Sequence, residues 1–421
     1  MGVINSKDIG RIIRKSLMLV DEDIMLHGEI VGYIFYKMMQ YTNRYFLKEM
    51  ADFTMIGVLH DIGLFKSANK DLIREDEEKH VWRHTIYGYL FLRYLSPLGE
   101  GSEIVLYHHL DYNRYPLIKS KYMELAEYLS FADKLDTFMR SGKNIMDADF
   151  FAKKGNIVFS ENAKILFLRA ETKYHILSKI KDSSYQGELY ALLSKRIMDE
   201  EEKRRMIQLL VYTIDFRSEY TVVHSIATTT FAVEIAKLMK LSDEDIYLIY
   251  YGALLHDIGK LTTPVEILEA PRRLTKEEMD IMKQHVENTE KILRGSVDER
   301  VLEIAIRHHE KLDGSGYYRG LTGKELTTPQ RIVAVADIIS ALYGKRSYKE
   351  KFNSEQIKSV LRKEAADGKL CPKVTVYAIS NMDYLIQHFE EAKKYTIGKY
   401  ILIKEQYKLI YEKFKKFEIM D

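Results

Sequence analysis

The sequence is poor in several things, and each scarcity excludes something. It has one cysteine, Cys371, among 421 residues. No internal disulfide can form, which fits a reducing cytoplasm, and Cys371 reads as a small packing residue. Six prolines leave few breaks for helices. No run of about eighteen apolar residues occurs, so no membrane-spanning helix is expected. Net charge is scarce too: 64 Lys+Arg against 62 Asp+Glu leave +2. That balance gives no reason to expect a binder of duplex nucleic acid. Alternating apolar and polar runs long enough to build a sheet core are also missing.

What is abundant is helix-forming sequence. Leu, Ile, Glu, Lys and Tyr fill long stretches. Ile24, Ile30, Val31, Ile34, Phe35 and Met38 recur at three-to-four spacing, and so do Ile226, Phe231, Val233, Ile235, Ala236 and Met239. Both are patterns of a buried helix face. The expected fold is all-α, and the length allows two or three domains with cores of their own.

The histidines carry the most information. Ten of the thirteen fall into two series of the same order. The first is His27, His60–Asp61, His84, His108–His109 and then Asp133; the second is His224, His256–Asp257, His285, His308–His309 and then Asp337. Subtracting matched positions gives offsets of 196 to 204 residues. Flanking letters repeat as well, Leu59–His60–Asp61–Ile62–Gly63 against Leu255–His256–Asp257–Ile258–Gly259. This is a duplicated domain. It places an N-terminal domain at 1–195, an exposed, charge-dense connecting helix at 196–210, a second domain at 211–385 and amphipathic C-terminal helices at 386–421. His80, His175 and His388 lie outside the series and read as surface or packing residues.

Imidazole nitrogen with carboxylate oxygen suits Mn, Fe, Zn and similar divalent ions. A His–Asp pair within a helix sets two ligands side by side, and the two oxygens of the Asp can bridge two metals. The remaining ligands must arrive from other helices, which explains separations of roughly one helix plus a loop. Two metals sharing a bundle core are suited to phosphoester hydrolysis.

The ordered set is similar to the HD superfamily of metal-dependent phosphohydrolases. Residues 215–385 more specifically resemble an HD-GYP domain, through Tyr220–Ser225, Leu254–Lys260, His308–Tyr317 and Pro329–Asp337. That resemblance implies hydrolysis of 3′,5′-cyclic dinucleotides, cyclic di-GMP or cyclic GMP-AMP. It implies metal ligands at His224, His256, Asp257, His285, His308, His309 and Asp337, with Asp257 bridging. It implies phosphate stabilisation by Lys260 and substrate contacts from Asp313, Arg346 and Lys349. The third letter of the Gly-Tyr-Pro stretch is Tyr318, which changes the stiffness of that loop. Members with a third metal carry two further carboxylates, where this domain has Tyr220 and Ser340; a dinuclear centre is therefore expected there.

The first domain departs in the opposite direction. By the same positions its ligands are His27, His60, Asp61, His84, His108, His109 and Asp133, and Asp23 and Asp136 would add a third metal position, giving two or three ions. Leu64 replaces the lysine, and the loop Leu110–Pro116 has no glycine. Metal binding with an altered or lost substrate preference is expected. Fe or Mn is the expected metal, and Zn is accepted by the same ligands. Two alternatives stand beside the cyclic-dinucleotide phosphodiesterase: a phosphohydrolase of another nucleotide or phosphoester, and a non-catalytic cyclic-dinucleotide sensor. A homodimer and protein partners in cyclic-dinucleotide signalling are compatible with all three.

Overall fold

A computed structural model describes residues 4–66, 81–141, 160–215, 219–344 and 352–418. Among them no strand forms, and the one isolated β-bridge pairs Asp313 with Thr322. The all-α expectation holds. The helices are α1 (Ser6–Val20), α2 (Glu22–Thr42), α3 (Leu47–Val58), α4 (Val81–Leu95), α5 (Glu103–Tyr107), α6 (Met123–Arg140), α7 (Glu161–Tyr174), α8 (Ile176–Lys181), α9 (Tyr185–Leu193) and α10 (Glu200–Asp215). They continue as α11 (Glu219–Leu238), α12 (Asp243–Leu255), α13 (Val265–Leu268), α14 (Lys276–Leu293), α15 (Glu299–Ile306), α16 (Thr328–Tyr343), α17 (Ser354–Ala366), α18 (Pro372–Ser380) and α19 (Met382–Glu418). No helix among the described residues is long and apolar enough to cross a membrane.

Local chemistry starts these helices where the site needs them. Asp21 caps α2, its carboxylate accepting from the backbone N–H of Asp23 at 3.0 Å and Ile24 at 3.3 Å. Thr275 with Glu278 and Thr327 with Gln330 form reciprocal capping boxes at α14 and α16. These capped helices carry His27, His285 and Asp337, so capping sets the register of the ligands.

The chain forms two compact units, each discontinuous in sequence. One comprises Asp21–Thr213 with Leu402–Asp421, the other Met1–Val20 with Ile214–Ile401. This differs from the sequence-based boundaries at both ends. Helix α1 buries Ile9, Ile12, Ile13 and Leu17 and packs with α14 and the 3₁₀ turn Ile258–Thr262. Lys15 Nζ donates to the Arg294 carbonyl at 2.5 Å. Each buried aliphatic side chain contributes about 1.5–3 kcal/mol, enough to fix a fifteen-residue helix. The C-terminal segment is one 37-residue helix, α19, rather than several. Its last turns belong to the first ligand series: Phe414 packs on Trp82 with ring centroids 4.7 Å apart, and Tyr407 stacks on Tyr87 at 4.3 Å.

The connecting stretch at 196–210 is not an exposed linker. Met206, Ile207, Leu209 and Leu210 of α10 are buried, and Arg196 is held by Asp52 at 2.7 Å and Glu202 at 2.6 Å. The charges occupy one helix face and the apolar residues the other.

The duplication is visible in the backbone. A Cβ added to Gly63 would lie 2.0 Å from the His84 carbonyl oxygen, and one added to Gly259 would lie 2.0 Å from that of His285. Only glycine lets the turn after each His–Asp pair press against the helix bearing the next histidine.

Candidate metal centres

In each unit five segments bring the ordered residues together. In the second, His224 comes from α11, His256–Asp257 from the end of α12, His285 from α14, His308–His309 from the end of α15 and Asp337 from α16. The first unit repeats this with α2, α3, α4, α5 and α6. The His–Asp pairs were expected inside a helix but lie just past its end: α12 stops at Leu255, and Asp257 (φ −103°, ψ 8°) opens the 3₁₀ turn. Successive residues inside an α-helix diverge by about 100°. Ending the helix lets both side chains face the same core.

The geometry separates donors from acceptors. Nδ1 of His256, His285 and His308 each lies 2.6 Å from a backbone carbonyl oxygen, of Ala253, Met282 and Ala305. A carbonyl only accepts, so each Nδ1 carries the proton and each Nε2 offers a lone pair. Burial holds His285 down to about 4 and His308 well below its usual range, so both rings are neutral at neutral pH. Yet their Nε2 atoms stand 3.3 Å apart. Asp257 Oδ1, buried without a hydrogen bond, is 3.3 Å from the first and 3.9 Å from the second. Three electron-pair donors thus converge with no proton among them. Two ligands on one ion at about 2.0–2.1 Å stand roughly 3.0–3.4 Å apart. The arrangement fits a cation; His309 groups with His285 and His308, and its Nδ1 also lies 3.6 Å from Asp337 Oδ2.

The other oxygen of Asp257 serves a second group. Oδ2 is 3.3 Å from His224 Nε2 and 3.1 Å from His256 Nε2, and Asp337 Oδ1 is 3.1 Å from His224 Nε2. Burial acts against protonation of His224, but the hydrogen bonds it donates to Asp257 and Asp337 raise it to about 9. A metal ion held there would take the place of that proton. Lys260 Nζ donates to Asp257 Oδ2 at 2.5 Å. It reaches the site from the 3₁₀ turn, just past the helix that ends at Leu255.

The first unit has the same division. Asp61 Oδ2 lies 3.3 Å from His60 Nε2 and Oδ1 lies 3.5 Å from His84 Nε2, while Asp133 Oδ1 is 3.1 Å from His27 Nε2. His60 and His108 direct Nδ1 at the carbonyls of Gly57 (2.8 Å) and Val105 (2.6 Å), and their buried Nε2 atoms have no hydrogen-bond partner. His84, His108 and His109 form a further group able to hold a metal.

Several expected positions fall elsewhere. Asp23 is exposed, with no place in the donor groups among the described residues. Asp136 is buried but engaged: its Oδ2 is 2.7 Å from His27 Nδ1 and accepts from Arg140 Nε at 2.5 Å. Asp313 is exposed, its carboxylate accepting from the N–H (3.0 Å) and hydroxyl (2.7 Å) of Ser315. Arg346 and Lys349 lie outside the described residues. Leu64, at the position matching Lys260, is buried.

One functional role escaped the sequence. Ser340, at the position of Asp136, has Oγ 2.7 Å from His224 Nδ1 and 3.1 Å from the His224 carbonyl oxygen. Its single proton goes to the carbonyl, so Oγ accepts from Nδ1–H and holds the tautomer that aims Nε2 inward. The matched offset of 204 residues between Asp136 and Ser340 was the available signal. It suggested an added or absent metal ligand, whereas both side chains orient a histidine.

Comparison with known proteins supplies the family. Residues 195–374 and 27–137 each match an HD-domain family model. A 3′3′-cGAMP-specific phosphodiesterase of Vibrio cholerae is 27% identical over 394 residues, 89% of this chain and 91% of that protein. The cyclic di-GMP phosphodiesterase response regulator RpfG of Xanthomonas campestris is 38% identical over 154 residues, 36% of this chain and 41% of that protein. In fold, the chain is similar to a crystal structure of a cyclic GMP-AMP specific phosphodiesterase of V. cholerae, with a TM-score of 0.57, 17% identity and coverage of 91% and 98% of the two chains. The chain belongs to the HD-domain family, with one HD domain in each half, and its C-terminal domain carries the HD-GYP pattern.

Proposed function

We propose that the second unit hydrolyses 3′,5′-cyclic dinucleotides, cyclic di-GMP or cyclic GMP-AMP, to the linear dinucleotide or mononucleotides. The observation that carries this reading is Asp257, whose two oxygens face two separate groups of imidazole nitrogens. The activities named for the relatives supply the substrate class.

His224, His256, Asp257 and Asp337 would hold one divalent ion; His285, His308, His309 and Asp257 would hold the other. Fe or Mn is the proposed metal, and Zn is accepted by the same ligands. Bound ions supply Lewis acidity toward a phosphoryl oxygen and lower the pKa of a water. The chain's own residues do the rest. Asp257 spans both groups and fixes their separation. Ser340 and the carbonyls of Ala253, Met282 and Ala305 hold four rings in the ligating tautomer. Lys260 places a positive charge beside the bridging carboxylate, where it stabilises the charge that develops on the phosphoryl oxygens. Tyr317 stacks on His309 with centroids 4.4 Å apart, giving the site an aromatic wall.

The first unit would bind two metal ions, with Asp136 orienting His27 rather than ligating a third. With Leu64 buried where the lysine should be, it lacks the charge for cyclic-dinucleotide cleavage. A cytoplasmic protein acting within cyclic-dinucleotide signalling follows from this reading. The test is turnover of both substrates by anaerobically purified protein with its metal content measured. Asp257→Ala should abolish cleavage and Asp61→Ala should leave it largely intact. The opposite pattern would move the active centre to the first unit.

A further inference from the structure

The loop that follows His308–His309 is closed back on α14 by side chains that the HD-GYP pattern does not include. Its third letter, normally proline, is Tyr318, with φ at +98°. Proline, fixed near −65°, cannot take that conformation. The loop must therefore be held in some other way. Glu290 of α14, five residues after His285, accepts from the Tyr318 hydroxyl and from Arg319 Nη2 at 2.7 Å. Arg294 also donates to it, and the Arg319 guanidinium lies 5.4 Å from the Tyr318 ring centroid. On the inner side, the buried carboxylate of Glu310 accepts from the backbone N–H of Arg319 at 2.8 Å and Leu321 at 2.9 Å.

Between these anchors sits Tyr317, half-buried and stacked on His309, with Lys283 Nζ 5.5 Å from its ring centroid. Gly316 lets the loop close: an added Cβ would lie 2.5 Å from Glu310 Cα. Tyr318 follows Tyr317 directly, so tethering its hydroxyl to α14 sets where the Tyr317 ring stands relative to the histidines.

We propose that Glu290 is a positioning residue: through Tyr318 and Arg319 it does the work of the missing proline and holds Tyr317 at the mouth of the second unit's site. Its effect should fall on substrate binding, because neither Glu290 nor Tyr318 is among the proposed metal ligands. This inference rests on the proposed cyclic-dinucleotide activity.

Two variants test it, Tyr318→Phe, which removes one hydroxyl, and Glu290→Ala, which removes the anchor. Both should raise KM for cyclic di-GMP or cyclic GMP-AMP, by about 3-fold for the first and roughly 10-fold for the second, as expected for a partly exposed charge-assisted pair. kcat and metal content should stay near wild type. Backbone amide exchange across residues 314–321 should speed up in both. An unchanged KM alongside faster exchange would overturn the positioning role. Unchanged exchange in Glu290→Ala would overturn the clasp itself. If the wild type turns over neither substrate, the functional reading fails and takes the KM effect with it, while the exchange arm still decides whether Glu290 holds the loop.

Discussion

Replacing Ser340 by alanine isolates a single interaction. The hydroxyl lies 2.7 Å from His224 Nδ1 and 3.1 Å from the His224 carbonyl, and the residue is buried. Alanine removes the acceptor without adding bulk. The Nδ1–H is then left in a buried place without a partner, which costs about 1–3 kcal/mol. The ring can recover some of this only by changing tautomer, which puts the proton on Nε2 and removes its lone pair, or by rotating, which turns Nε2 away from Asp257 and Asp337. Loss of a group that orients a metal-ligating histidine typically weakens metal binding about 10- to 100-fold, or roughly 1.4–2.7 kcal/mol. The two figures agree, so a drop in that range is expected for the ion held by His224. Competition with a chromophoric chelator under anaerobic conditions would measure it. Metal bound by the first unit is an internal reference, because there Asp136 orients His27. Only one class of sites should weaken, and Ser340→Thr, which keeps the hydroxyl, should restore most of the loss. Equal affinity in Ser340→Ala and wild type would refute the argument, and so would a loss shared by both units.

Other consequences can be checked separately. Lys260→Ala should retain metal and lose about 10²–10³ in turnover, since only charge placed on the transition state is removed; loss of metal in that variant would show instead that Lys260 holds Asp257 in place. Leu64→Lys in the first unit should not create cyclic-dinucleotide cleavage, because the loop Leu110–Pro116 still lacks the glycines; measurable new turnover in an Asp257→Ala background would refute this. Glu127 on α6 gives a pH test away from the ligands. Burial and the nearby Glu124 raise its carboxyl to about 7, and its Oε1 has no hydrogen-bond partner. A group whose pKa is raised on folding contributes stability below its unfolded value of about 4.5, and that contribution is lost as the pH rises through about 7. Glu127→Gln should therefore raise the melting temperature by a few degrees at pH 8 and change little at pH 4.5; equal shifts at both would contradict the assignment.

Order and spacing along the chain determined a good deal of this protein. Repeated His and Asp at a near-constant offset are readable without coordinates, because each ligand must come from a particular helix and the helices recur in the same order. The three-to-four periodicity and the scarcity of proline were enough for an all-α fold. The tertiary structure decided what depends on which surfaces meet. Asp23 and Asp136 looked alike as added carboxylates, yet one is exposed and the other is locked between His27 and Arg140. Nothing in the letters distinguishes them, because a carboxylate's role depends on the charge it faces. The apolar faces of α1 and of the last turns of α19 were legible, but not the surfaces that cover them. Packing joined α1 to residues 214–401 and the end of α19 to residues 21–213, far from their sequence neighbours. Asp257 could be marked as a bridge from its type and place. Only the fold turns its two oxygens toward different histidines, since that requires α12 to end at Leu255 and the glycine after it to press against α14.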